Sequence, residues 1–447
     1  MIELRGGEIA AAIGARVARE GGRGFPGRAE IDSRAVRPGD LFFGLRGTSA
    51  DGSRFAPEAL GSGAWGAVVS EGREPASEMP GWVFAVADPL AALAGLAREW
   101  RRRLGCRVVG VTGSVGKTSV KDIAAAVLPG RVHASEENRN TEIGLPLSIL
   151  CAQGGTEAMV LEMAMRGPGQ IAELTRIAEP DVAVITNVGP VHVELLGSVE
   201  AVAAAKAEIL ALPPEGVAVV PAEAGPLEPH LEAAPRLLRF GEGGDVSASE
   251  VRPEGGGISA MITTPAERRR VTFGFPEHHN LTNALAAIAA GVAIGATLAE
   301  MSARTADIGF SRLRGERLEL GEGIVLVNDC YNANPISMRA ALDHLAASPA
   351  RRRIAVVGEM AELGPDAPYY HREVGEHARA AGIDLVVGVG AAAREFGPDE
   401  LVASPQEAVQ LLSERLEPGD LVLVKGSRSV GLEAVAEGFS ASREGGA

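Results

Sequence analysis

The stretch VVGVTGSVGKTSV, Val108 to Val120, decides how the chain is read. It has the outline of a phosphate-binding loop, in which a strand runs into a glycine-rich turn and a helix leaves it. The common form of that loop is G-x-x-x-x-G-K-[ST]. Counted back from Gly116-Lys117-Thr118, the first glycine should fall at position 111, which holds Val111; the glycines stand at 110, 113 and 116. Val111 therefore belongs to the incoming strand, and the turn begins later. Gly113, Ser114 and Gly116 are small enough for the backbone to close on an anion. Lys117 is placed to reach the β- and γ-phosphates of a nucleotide, the Thr118 hydroxyl to bind Mg²⁺, and Ser119 follows at the helix start.

Working outward, short apolar runs ending in turn residues alternate with helical patterns. RVVGVTG, AMVLEMA, DVAVITNVG and GVAVVP read as strands, with TSVKDIAAAVL, QIAELTRIA and VEAVAAAKAEILA as helices between them. That alternation predicts a parallel sheet covered on both faces. The Gly-rich piece from Gly241 to Pro276 predicts a small antiparallel excursion, and HHNLTNALAAIAAGVAIG a further helix. From Gly321 a second βαβ series begins with IVLVND, RIAVVGEM, DLVVGVG and LVLVKGS. Residues 1–90 are loop-rich, and DPLAALAGLAREWRRRLG reads as a helix leading out of them.

With 447 residues, two to four domains are expected. A net charge of −15 opposes a polyphosphate backbone and argues against nucleic acid as a partner. Cys106, Cys151 and Cys330 are scattered and form no CxxC, so neither a disulfide framework nor a zinc site is expected, and a reducing cytoplasm fits. The start, MIELRGGEIAAAIG, is unlike a signal peptide, and no run of about 18 apolar residues predicts membrane insertion.

Three further residues have two readings each. Glu162 lies in an apolar run near a strand's carboxyl end, where it is either salt-bridged or bound to metal. His192 follows another strand, as a satisfied loop histidine or a ligand. Lys206 sits in the alanine-rich EAVAAAKAEIL, and alone reads as a solvated helix-face lysine. The cluster NDCYNANP, Asn328 to Pro335, is either a turn with a helix cap or a set of free amides for a polar ligand.

GVTGSVGKTS resembles the nucleotide loop of the Mur ligases, whose glycines occupy these same three positions. The resemblance extends through IDSRAVRPGDLFFGLRG, NRNTEIGLPLSIL, LEMAMRGPGQI, ITNVGPVHVELLGS, AKAEI, HNLTNALAA, NDCYNANPISM, VVGEMAELG and VLVKGSR. It implies an α/β chain of three domains: a small mixed uridine-nucleotide-binding domain over 1–90, a central P-loop ATPase domain with a parallel sheet over 91–318, and a Rossmann-like domain over 319–447. It also implies an ATP-dependent amide ligase working through an acyl phosphate. YNANP with GEMAELG and KGSR is similar to the member that joins D-alanyl-D-alanine to UDP-N-acetylmuramoyl-tripeptide. The alternative is a ligase of the same family adding diaminopimelate or lysine, whose DNPR-type signature is absent.

Carried over by resemblance, Glu162, His192 and a carbamylated Lys206 hold two Mg²⁺ ions with Thr118. Asn280 and Asn283 fall on the adenine segment, Arg314 on the arginine before the third domain, and Asp329 near the ribose. Ser33 and Arg34 fall on the uridine-nucleotide motif, and Asn140 and Thr141 lie in the substrate-binding NRNTEIG. Asn332, Ala333 and Asn334 face the incoming dipeptide. Ala164 and Ser53 depart from the family's glycine and histidine, and Arg317 competes with Arg314 for its place. A cytoplasmic monomer is expected.

Overall fold

Each buried apolar run of the two βαβ series becomes a strand whose side chains are covered on both faces, as a parallel sheet requires. The chain is described by a computed structural model over residues 2–444, with 49, 77 and 137 excepted. The first unit carries β1 (Arg16–Arg19), β2 (Ala29–Glu30), β3 (Leu41–Phe43), β4 (Gly66–Ser70) and β5 (Trp82–Val86), ordered β1-β5-β4-β3-β2 with only β1 antiparallel to its neighbour.

The middle sheet contains β6 (Arg107–Thr112), β7 (Val132–Ala134), β8 (Ala158–Glu162), β9 (Val182–Ile185), β10 (Val217–Pro221) and β11 (Leu237–Phe240). Its order is β11-β10-β9-β6-β8-β7 and every pairing is parallel. The central β6 is thus flanked by β8 and β9, which brings their carboxyl ends to the phosphate loop. The excursion predicted from Gly241 forms the antiparallel β12 (Ser247–Glu254), β13 (Gly257–Thr263) and β14 (Arg268–Phe273).

The last unit holds β15 (Glu316–Gly321), β16 (Ile324–Asn328), β17 (Arg352–Gly358), β18 (Leu385–Val389), β19 (Glu400–Val402) and β20 (Asp420–Lys425). They are ordered β15-β16-β20-β17-β18-β19, with β15 antiparallel at one edge. Sequence patterning found the five parallel strands except β19, which is three residues long and half exposed.

The helix Pro89–Leu104 joins the first two units. Asp88 caps it by accepting from the Leu90 N–H at 2.9 Å, Pro89 occupies the first turn, and Gly105 ends it at φ +62°. Its apolar face enters one continuous core with Leu41, Phe84, Val108 and Leu161, so the first unit and one face of the middle sheet are packed together. Trp100, buried there with its indole N–H donated to Ala152 O at 3.0 Å, contributes about 2–3 kcal/mol by burial. The helices Lys117–Val127 and His278–Ala293 and the three-stranded sheet cover the other face. The third unit has separate cores on its own sheet faces.

The connection between the middle and third units is pinned at one end. Asp122 accepts from the Ser311 N–H at 2.8 Å and hydroxyl at 3.1 Å, and Lys121 beside it lies 2.8 Å from the same carboxylate. Beyond the pin, Leu313 and Gly315 have φ of +62° and +72°. Among the described residues, no helix is long and apolar enough to cross a membrane.

Candidate active site

The turn begins after Thr112, as the strand assignment of Val111 requires. Gly113 and Gly116 have φ of +147° and +81°, and a Cβ on either would overlap Thr186 Oγ1 or Asn283 Oδ1 respectively. These two glycines are fixed by backbone conformation and by close neighbours. Gly110 has a different role. It lies inside β6, where a Cβ would stand 3.0 Å from Met163 Cε and 3.3 Å from Ile209 Cδ1, so its glycine lets side chains pack over the strand.

The segment after β9 holds the loop from the side. Asn187 O accepts from the Ser114 N–H at 3.0 Å, Asn187 Oδ1 accepts from the Val115 N–H at 2.9 Å, and the Thr186 hydroxyl donates to Val115 O. Ser114 Oγ accepts from the Gly189 N–H at 2.9 Å. Reading ITNVGPVH for its histidine alone missed Thr186 and Asn187. Their signal was position: a polar pair at the end of a strand beside the loop strand.

Lys117 Nζ donates to Gly113 O at 2.8 Å, and Lys206 Nζ donates to the same carbonyl at 2.9 Å. Lys206 is 2 % exposed, so the solvated helix-face reading fails. Burial drives its amine well below the ordinary lysine range, and Lys117 nearby adds to the effect. Burial also lowers the Lys117 pKa, with Glu162 opposing and Arg314 assisting.

Glu162, buried at the end of β8, accepts from the Thr118 hydroxyl at 2.8 Å and from Asn140 Nδ2 at 2.8 Å. Among the described residues it forms no salt bridge; its partners are neutral donors on the loop and on NRNTEIG. Thr118 in turn accepts from Arg314 Nη2 at 3.0 Å. Arg314 lies over the Tyr331 ring at 4.2 Å, whereas Arg317 lies on β15 and lines a different cleft. Only Arg314 of the competing pair reaches the loop.

Lys117, Thr118, Asn140, Glu162 and Arg314 line a cavity of about 490 Å³ between the middle and third units, with Thr141, Asn332 and Asn334 in its wall; Lys206, behind the Gly113 carbonyl, lines neither this cavity nor the next. His192 stands at its edge in a left-handed backbone conformation, φ +55°. Its Nδ1 lies 2.5 Å from Glu362 Oε2 of the third unit, an ion-pair contact off the hydrogen-bonding direction that leaves Nδ1 without an aligned partner. The imidazole holds the Glu362 carboxyl below its ordinary value. Among the described residues no three His, Cys, Asp or Glu side chains gather as a metal cage. Thr118 and Glu162 nonetheless form the sparse, hard-oxygen set suited to Mg²⁺ that is completed by phosphate and water.

A second cavity of about 240 Å³ opens on the other side of Gly116 and is lined by Ser119, Asn280, Asn283 and Asp329. Asn283 Nδ2 donates to Asn280 Oδ1 at 3.1 Å. His279 Nδ1 and Arg314 Nε, both in this lining, are buried without a hydrogen-bond partner, as donors and acceptors awaiting a polar ligand are. Lys425, which the sequence offered only as part of KGSR, lines both cavities. Its Nζ donates to Asp329 Oδ2 at 2.7 Å and to Asn332 O at 3.1 Å, and the side chain is 3 % exposed.

Not every expected residue meets the cavities. Ala333 is buried in the third unit's core. Asn334 caps the helix Pro335–Ala347, accepting from the Ser337 N–H at 2.9 Å, so both readings of NDCYNANP hold at this residue: cap and cavity wall. Ser33 donates to Glu58 Oε2 at 3.0 Å and Arg34 is exposed in a bidentate pair with Asp32; both lie in the first unit, outside either cavity.

Family models match in the same order along the chain: the Mur ligase family catalytic domain over 29–101, the Mur ligase middle domain over 111–291 and the Mur ligase glutamate ligase domain over 313–428. A UDP-N-acetylmuramoyl-tripeptide–D-alanyl-D-alanine ligase of Synechocystis is 39% identical over 425 residues, covering 90% of each chain. The Escherichia coli protein of the same name is 34% identical, covering 90% of this chain and 91% of that one. Among solved structures, MurF of Thermotoga maritima in complex with ADP superposes with a TM-score of 0.82 at 33% identity, covering 94% and 98%. MurF from Acinetobacter baumannii superposes with 0.88 at 27% identity, covering 98% and 99%. The off-register glycine loop, the lysine pair on the Gly113 carbonyl and this end-to-end likeness lead to one conclusion: the chain belongs to the Mur ligase family.

Proposed function

We propose that the chain is an ATP-dependent ligase that joins D-alanyl-D-alanine to UDP-N-acetylmuramoyl-tripeptide, in the cytoplasm where ATP is supplied. The observation that carries this reading is the meeting of two units in one cavity. The middle unit contributes the loop, Lys117, Thr118 and Glu162; the third contributes Asn332, Asn334 and Lys425. The names of the relatives described above agree with it. Three ligands are divided among three units: the uridine nucleotide on residues 1–90, ATP on 91–318 and the dipeptide on 319–447.

Amide formation requires an activated carboxylate. An oxygen of the tripeptide's terminal carboxylate attacks the γ-phosphorus, and the bond to the ADP oxygen breaks. The dipeptide amine then attacks the acyl carbon, inorganic phosphate leaves, and the amine gives up a proton. Lys117 offsets charge on the transferring group, while the loop N–H groups and Arg314 hold the nucleotide in position. Asn280 and Asn283 orient the base and Asp329 the ribose. Thr118 and Glu162 would hold Mg²⁺, which would supply charge neutralisation at the phosphates.

Lys206 has the surroundings for carbamylation: an amine driven toward its neutral form and, among the described residues, no carboxylate partner. Addition to CO₂ forms an N–C bond, releases a proton and converts the side chain to an anion. With His192 it would then hold a second Mg²⁺. Lys206→Ala should lose nearly all activity, with partial rescue by a short-chain carboxylic acid; full activity without the acid refutes the carbamate role.

Phosphate release measured with and without D-alanyl-D-alanine tests the ligase reading. Turnover is expected only with the dipeptide, together with a product of the summed mass; turnover indifferent to acceptor overturns the proposal. Lysine- and diaminopimelate-containing tripeptides, assayed in parallel by mass spectrometry, identify the natural third residue.

A further inference from the structure

A third cleft, of about 500 Å³, adjoins the reaction centre and has no part in the scheme above. Thr118 and Arg314 line it from one side, Arg312 from the linker, and Tyr331, Arg428 and Glu433 from the third unit. It therefore reaches Arg314, the residue that touches the nucleotide loop, and Arg428 is among its guanidinium groups.

The cations near this cleft differ in how free they are. Lys425 is buried and engaged by Asp329 and Asn332. Arg314 is engaged by Thr118 and by the Tyr331 ring. Two exposed cations are left: Arg312, on the linker, and Arg428, which alone of the two stands on the third unit; the Arg428 side chain is 58 % exposed, and its ion pair is one Nη1 to Glu433 Oε1 at 3.2 Å. Glu433 Oε2 is buried and has no hydrogen-bond partner, so the pair is not a closed bidentate fork. The base of Arg428 is rigid, because Ser427 donates its N–H to Glu359 O at 2.9 Å and its Oγ accepts from the Ala361 N–H at 2.9 Å.

The acceptor brings its own requirement. A dipeptide whose amine attacks the acyl carbon carries an ionised carboxylate at its other end. That charge enters a site already crowded by a triphosphate and an acyl donor. It needs a cation at the far end of the acceptor, away from the phosphates. An exposed, singly paired arginine can exchange its partner at little loss, and its planar fork matches a carboxylate.

We propose that Arg428 anchors the free carboxylate of the acceptor dipeptide, and that Glu433 is the counter-ion this carboxylate displaces. The inference rests on the ligase reading and names the group that makes the acceptor a free peptide acid.

The test compares D-alanyl-D-alanine with its C-terminal amide. Wild-type enzyme should prefer the acid by roughly 10- to 100-fold in kcat/KM, the range of one charge-assisted pair. Arg428→Gln should raise KM for the acid by a similar factor, leave kcat within about threefold, and erase the preference over the amide. Arg428→Lys should keep part of the preference, and Glu433→Gln should lower KM for the acid. Equal preference in wild type and Arg428→Gln overturns the proposal, as does a KM raised alike by Glu433→Gln and Arg428→Gln. If wild type ligates neither acceptor, the ligase reading itself fails; if it ligates both equally well, only the carboxylate anchor fails.

Discussion

Glycine 113 and glycine 110 look alike in the sequence and differ in what they hold. Gly113→Ala forces a Cβ onto Thr186 Oγ1 at a φ of +147°, so nucleotide affinity should fall at least about tenfold. Gly110→Ala meets side-chain atoms alone, Met163 Cε at 3.0 Å, Ile209 Cδ1 at 3.3 Å and Pro180 Cβ at 3.4 Å, and should lose roughly 1 kcal/mol of stability with nucleotide affinity intact. Calorimetric titration with ADP and thermal unfolding of both variants check the pair. Lys206 gives a second test at this scale. Its folded pKa is depressed, so the unfolded chain binds the proton more readily. Stability therefore rises as pH climbs from the folded value toward about 10.4, the ordinary lysine value. Lys206→Met removes a penalty that is present in full only below the folded value. In CO₂-free buffer it should unfold at higher temperature than wild type near neutrality, and the gap should close above about pH 10. The loop lysine and threonine were legible because local spacing fixes them. Lys206 was not, since an alanine-rich helix gives no sign of which face turns inward.

At the scale of the element, the helix Pro335–Ala347 starts on a residue with two duties. Asn334 caps it and also lines the cavity. Asn334→Ser keeps a capping oxygen but loses the amide, whereas Asn334→Ala loses both. The alanine variant should be less stable by about 1 kcal/mol, the serine variant within about 0.5 kcal/mol of wild type, and both should show a raised KM for the dipeptide. An unchanged KM in the serine variant would reduce Asn334 to a cap. Strands and helices of both βαβ series were readable from periodicity, because buried strands are near-continuous apolar runs. Ala333 shows the limit: within YNANP nothing marks it as a side chain that turns into the core instead of the cavity. Lys425 shows another, since its partners Asp329 and Asn332 are far away in sequence and adjacent only through the pairing of β20 with β16.

Across the whole molecule, the distribution of cores decides what can move. The first unit shares a core with the middle sheet, while the third has its own and meets the rest through isolated contacts such as His344 with Glu277 and His192 with Glu362. Such cross-unit contacts leave no local pattern, which is why they were invisible in the sequence. The third unit should therefore move as a rigid body. X-ray scattering should register compaction when all ligands are present, and its absence would count against the motion. A lock can be built where a Cβ on Gly364 would stand 3.4 Å from Glu194 Cβ, near the spacing a disulfide needs. Glu194→Cys with Gly364→Cys should ligate poorly when oxidised and recover with dithiothreitol; equal rates in both redox states would show that closure is not part of turnover.

The pin between Asp122 and Ser311 makes the helix of the phosphate loop the fulcrum of a lever. A swing of the third unit should then fall on the residues just beyond it, where Leu313 and Gly315 sit at positive φ. Points close to a fulcrum sweep short arcs. Arg314 thus stays near the loop in every pose, while Asp329, Lys425 and Arg428 travel the long arc. The nucleotide has half of its grip before the swing and the acceptor has almost none, which dictates a sequence of arrival: ATP first, dipeptide last. Product-inhibition kinetics should return that compulsory order, and Asp122→Ala, which frees the fulcrum, should blur it toward random.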